Sequence, residues 1–251
     1  MTPMFVECCI DRVASGLEAQ KGGAQRVELC DNLIDGGTTP SYGMIKNMVK
    51  ALSIPVNVII RPRGGDFLFN EDEMQVMISD IEICKELGVD GVVIGCLTKY
   101  GTVDKDQTKR LIEVARPMSV TFHRAIDMTV DIYQALEDCI ELGIDRILTS
   151  GGCNDVYTGR DTLRKMVEQA GDRIVIMGGG GVTEKNVKEI VEYSGIHEVH
   201  GTARDYINSG MIYRKQGVFM GGEKKNTQEL EFQWKQTSSK IVHEIVHNAS
   251  M

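Results

Sequence analysis

The chain has 251 residues, of which 42% are hydrophobic, and a formal charge of −8. That length suffices to bury one well-formed core, and no run approaches the roughly 20 apolar residues of a membrane span, so a soluble globular protein without a membrane partner is expected. The acidic balance argues against nucleic acid and against an anionic membrane surface, both of which favour a basic face, and leaves small molecules or metal ions as partners.

Met1 to Phe5 run directly into an apolar segment without a basic-then-apolar leader, and seven cysteines do not make a paired disulfide framework. A cytoplasmic location with reduced thiols is therefore expected. Short Val/Ile-rich runs then alternate with longer helical patterns. Strands are predicted near Phe5–Cys9, Arg26–Cys30, Val56–Arg61, Gly91–Gly95, Ser119–His123, Arg146–Thr149, Ile174–Met177 and Glu198–His200. Between the third and fourth lies a helix over Glu71–Leu87, with Met74, Met77, Ile78, Ile81 and Leu87 on one apolar stripe. Gly88 and Gly143 follow similar segments, Lys85-Glu86-Leu87 and Glu141-Leu142, and close each helix in a left-handed conformation. Eight such units predict a single-domain (β/α)8 TIM barrel, with an open doubly wound sheet as the alternative. After the last strand, residues 205–232 are read as an irregular excursion, followed by a final helix near Trp234–His247.

Alternation along a strand puts Glu7 and Cys9 on one face of the first strand and Glu28 and Cys30 on one face of the second. Neighbouring strands lie about 4.8 Å apart, so the two thiols can converge on one soft ion. Cys8 has the opposite parity, and it, Cys84, Cys96 and Cys139 are read as packing residues. Active sites of barrels occupy the C-terminal strand ends, where the inward positions also include Arg61, with Arg63 nearby, His123 and His200. The plain reading of this ring is a structural ion-pair network. The functional one has Arg61 clamping an anion while Glu7, Glu28 or His123 moves a proton. Gly179 and Gly180, in a run of four glycines after the seventh strand, and Arg204, after the eighth, are further anion-binding candidates. His243-Glu244-Ile245-Val246-His247 fits the His-Glu-x-x-His zinc pattern, but it falls on a helix that runs toward the opposite face, so coincidence is expected. The dispersed methionines read as core.

The chain closely resembles the CutC family, named for copper homeostasis. The resemblance is carried by Glu28-Leu29-Cys30, Gly36-Gly37-Thr38-Thr39-Pro40-Ser41, Ile60-Arg61-Pro62-Arg63-Gly64-Gly65-Asp66-Phe67, Thr121-Phe122-His123-Arg124-Ala125, Leu148-Thr149-Ser150-Gly151 and His200-Gly201-Thr202-Ala203-Arg204. It implies a (β/α)8 barrel without a regular final turn, a cytoplasmic location, self-association into dimers or tetramers, and Cu(I) bound by two cysteines, which fall here on Cys9 and Cys30. Cys8 directly precedes Cys9, so either can be the strand-one ligand. The alternative is an enzyme acting on a small phosphorylated or carboxylate metabolite, using Glu/His acid-base chemistry and an Arg clamp. A third reading is an oligomeric scaffold with a vestigial site.

Overall fold

The computed structural model describes residues 4–218 and 231–250. Eight strands form a closed, all-parallel barrel in sequence order: β1 (Phe5–Ile10), β2 (Arg26–Leu29), β3 (Val56–Ile59), β4 (Gly91–Ile94), β5 (Ser119–Phe122), β6 (Arg146–Thr149), β7 (Val175–Gly179) and β8 (Glu198–Gly201), with β8 pairing back onto β1. Helices α1 (Val13–Lys21), α2 (Tyr42–Ala51), α3 (Glu71–Glu86), α4 (Lys105–Ala115), α5 (Ile132–Glu141), α6 (Arg160–Ala170), α7 (Val187–Ser194) and α8 (Ser239–Ala249) alternate with them. The outward residues Val6, Cys8, Ile10, Val27, Leu29, Val58 and Ile60 join helix residues such as Met74, Met77 and Ile81 in the main apolar core. Ile78 and Leu87 of the predicted stripe pack at its margin.

Local chemistry sets the helix ends. Asn70 caps α3 in a reciprocal box with Glu73, both bonds being 2.9 Å, and Ser41, Asp104 and Asp131 cap α2, α4 and α5. Gly88 and Gly143 adopt φ of +76° and +74°, as the repeated joint requires.

The end of the chain departs from the sequence reading. The segment expected to be irregular opens with strand β9 (Arg204–Asn208), which pairs antiparallel with β10 (Gln233–Thr237). Trp234, expected in the last helix, lies in β10, and α8 starts at Ser239. The β10 sequence, Gln-Trp-Lys-Gln-Thr, pairs with Arg-Asp-Tyr-Ile-Asn from Gln233↔Asn208 to Thr237↔Arg204, a non-local partnership that helical periodicity cannot register. Residues 219–230 of the excursion lie outside the described residues.

The strand register stacks the barrel interior in layers of four side chains, contributed by alternate strands. Above the N-terminal end come Arg26, Gly91, Arg146 and Glu198, then Glu7, Asn57, Thr121 and Met177. Next are Glu28, Val93, Leu148 and His200, and at the mouth Cys9, Ile59, His123 and Gly179. Branched apolar residues usually fill such layers; here most positions on β1, β2 and β8 are ionisable.

Candidate metal centre at the barrel mouth

Those ionisable residues form one column of alternating charge. Glu198 accepts from Arg146 (Nε, 2.5 Å) and from Arg26 (Nη2, 2.7 Å). Arg26 also pairs closely with Glu7, and Glu7 Oε1 lies 2.7 Å from His200 Nδ1. On the other edge of the ring, His200 Nε2 is 3.5 Å from Glu28 Oε2. Glu7 is 1% exposed and Arg26 6%, so each charge depends on its neighbours in place of water.

The column fixes protonation at the mouth. Burial pushes the Glu7 carboxyl up, but Arg26 and His200 outweigh it and hold it at about 2. Burial disfavours the His200 imidazolium, while its bonds to Cys9 and Glu7 and the charge of Glu28 raise its pKa well above the usual value. Burial, with the charge of Cys9 beside it, holds Glu28 protonated up to about 8. Cys9 and Cys30 face each other with Sγ atoms 3.6 Å apart. A hydrogen bond from Cys30 lowers the Cys9 pKa against its burial, and His200 lowers it further. The same bond, with burial, raises Cys30 well above the ordinary thiol range. These directions favour Cys9 as the sulfur that gives up its proton and accepts from the Cys30 thiol, with the His200 imidazolium beside it. The Glu7 charge opposes the thiolate but is outweighed by the Cys30 bond and by His200, and Glu28 is itself pushed toward its protonated form.

Cys9, Cys30 and the Glu28 carboxylate bring three ligand atoms within 4.8 Å of one another, as do Glu7, Glu28 and His200. The second trio is held by its own proton, between His200 and Glu7. The first offers two sulfurs, which suit a soft monovalent ion; structural zinc takes four ligands. Gly37, at φ +95°, lies against Cys30, and a Cβ there would sit 3.4 Å from its Sγ. Cys8 points away from the mouth into the apolar layer under the helices.

The structure places the other candidates in several settings. Arg61 is 4% exposed and spends its terminal nitrogens on the carbonyls of Asp35 (2.7 Å), Gly37 (3.0 Å) and Gly65 (2.6 Å). Arg63 binds Glu73 (2.5 Å) and the carbonyls of Gly64, Asp66 and Leu68. Burial and the nearby Arg61 charge keep His123 neutral down to about 3, with Nδ1 accepting from Ala125 N. Gly179 stands between Leu148 and His200, Gly180 faces Arg124, and Arg204 is on β9 with a buried Nε that has no partner. His243 and His247 are exposed on α8.

Sequence reasoning missed Arg26, Arg146 and Glu198. Arg26 has the parity of Glu28 and Cys30, and Arg146 and Glu198 have that of Leu148 and His200. Extending the alternation downward from the strand ends finds all three.

A family model described as CutC family matches residues 4–205. The chain is 52% identical over 219 residues to a CutC family protein of Parabacteroides distasonis, covering 86% of this chain and 90% of that one. It is 46% identical to a human copper homeostasis protein cutC homolog, covering 86% of this chain and 80% of the relative. A crystal structure of a putative copper homeostasis protein CutC from Streptococcus agalactiae superposes with a TM-score of 0.76 at 37% identity, covering 79% of this chain and 98% of the other.

Proposed function

The chain belongs to the CutC family, and on that footing we propose that it acts in copper homeostasis by binding one Cu(I) ion through Cys9 and Cys30. The observation that carries this reading is the pair of unbridged sulfurs 3.6 Å apart, with Cys30 and His200 lowering the pKa of Cys9. Cu(I) replaces the proton between them. The exchange is of one unit positive charge for another, so the buried column keeps its balance and needs no new counter-ion. Cu(I) prefers thiolate over carboxylate, so Glu28 borders the ion without competing for it.

Cytoplasmic location belongs to the same reading: all seven cysteines are free, which fits a reducing compartment. Among the described residues no helix is long and apolar enough to cross a membrane. Exposed Tyr206, Ile212, Tyr213 and Trp234, on β9, β10 and the segment after β9, support self-association.

The test is an anaerobic titration of metal-free protein with Cu(I) against a competing chelator, followed by X-ray absorption of the loaded protein. One ion per chain with two sulfur neighbours is the expected result. Binding through nitrogen and oxygen alone, or no retention against the chelator, contradicts the proposal.

A further inference from the structure

Among the described residues, five buried side-chain nitrogens have no partner; Arg160 Nε and Arg204 Nε lie on α6 and β9, and the other three lie at β3 and β5. Asn57 Nδ2 and Arg61 Nε lie on or just after β3, and His123 Nε2 follows β5. A buried donor left without an acceptor is costly, and native structures rarely keep one without a use. Asn57 belongs to a deep layer, but His123 shares the mouth layer with Cys9, and Arg61 is the next inward position above Ile59 on β3.

Arg61 and His123 meet the same aromatic side chain. The Phe67 ring lies against both, 4.8 Å from the Arg61 guanidinium carbon and 4.9 Å from the His123 ring centroid. Nδ1 of His123 accepts from Ala125 N, so the proton of the neutral ring is on Nε2 and that atom is a donor. Gly95 makes room for the ring, since a Cβ there would collide with it. Arg61 is also a buried cation without a contact ion pair: among the described residues no carboxylate comes within 4.0 Å of its nitrogens, Asp35 and Asp66 act on it only from farther away, and its bonds go to carbonyls.

We propose that Arg61 Nε and His123 Nε2 form a binding site for a small organic monocarboxylate, seated under Phe67 in the same mouth as the thiol pair. Two single donors match the two oxygens of a carboxylate. A single cation without a carboxylate in contact matches one negative charge, whereas a phosphate monoester brings a third terminal oxygen and up to a second charge that these groups do not satisfy. The aromatic cover suits the short apolar part of such a ligand. This site is independent of the copper reading, because it uses neither sulfur.

The test is a titration of metal-free, ¹⁵N-histidine-labelled protein with pyruvate and, separately, with inorganic phosphate. With five histidines in the chain, the His123 ring signals can be assigned by His123→Gln. The expected result is a saturable shift of the His123 Nε2–H resonance with pyruvate, retained in the Cys9→Ser/Cys30→Ser double variant and much weaker with phosphate. No saturable shift with pyruvate overturns the site. A phosphate shift as strong as the pyruvate shift overturns the carboxylate assignment, and loss of the pyruvate shift in the double variant shows that the thiols, not Arg61 and His123, make the contact. Arg61→Lys, which keeps the charge but lacks Nε–H, is expected to weaken pyruvate binding at least about tenfold; unchanged affinity in a folded variant counts against the role of Nε.

Discussion

Cys9→Ser and Cys30→Ser are each expected to lower Cu(I) affinity by more than about a hundredfold, since even groups that only support a metal's ligands are worth ten- to a hundredfold. The two sulfurs act as a unit, so the double variant is expected to lose little more than either single one. Cys8→Ser separates the two adjacent cysteines of β1. Its side chain is 1% exposed among Val6, Ile10 and the helix residues, on the face away from the mouth. A hydroxyl there costs stability, on the order of 1 kcal/mol for a buried polar group, and leaves Cu(I) affinity unchanged. Competition against a chelator measures all four variants. Loss of copper in Cys8→Ser with retention in Cys9→Ser would reverse the assignment of the strand-one ligand.

The largest effect on stability is expected at Arg26, where no metal is involved. Its guanidinium joins Glu7 to Glu198, and it is 6% exposed with the Phe5 ring 4.6 Å away. Arg26→Met removes the charge while keeping much of the length. Glu198 retains Arg146, but Glu7 is left with His200 alone in a site closed to water. Breaking a buried pair from one side costs about 3–5 kcal/mol, and that loss is expected in urea unfolding. Adding Glu7→Gln removes the stranded charge, so Arg26→Met/Glu7→Gln is expected to be more stable than Arg26→Met. If the two losses simply add, Arg26 and Glu7 are not coupled and the column is not a single electrostatic unit.

The barrel and the thiol pair were legible in the sequence because both follow from local periodicity. Eight apolar runs separated by helical stripes give the barrel, and period-two alternation puts Cys9 and Cys30 on the inward face at neighbouring strands. Alternation does not tell which inward charges will pair. Arg26 meets Glu198 across 172 residues, and only barrel closure through β8 and β1 brings them together. The role of Arg61 was hidden for a related reason. Its position at a strand end predicts a side chain facing the mouth, but the loop carbonyls of Asp35, Gly37 and Gly65 that occupy most of its donors are set by turn geometry. The β9–β10 ribbon was missed because its strands alternate charged and polar side chains with few apolar ones, and so carry no burial signal.

Ultraviolet thiolate absorbance of the reduced, metal-free protein against pH reads whether the buried column of charge holds Cys9 as the thiolate proposed to take Cu(I). Burial pushes Cys8, Cys84 and Cys96 up to about 12 and Cys139 higher, so these thiols stay silent through neutral pH. Absorbance from one thiolate is expected already below the ordinary thiol range of about 8.5, absent in Cys9→Ser and moved to higher pH in His200→Gln. Wild-type protein with no thiolate absorbance below that range, or with a signal that survives Cys9→Ser, would contradict that assignment.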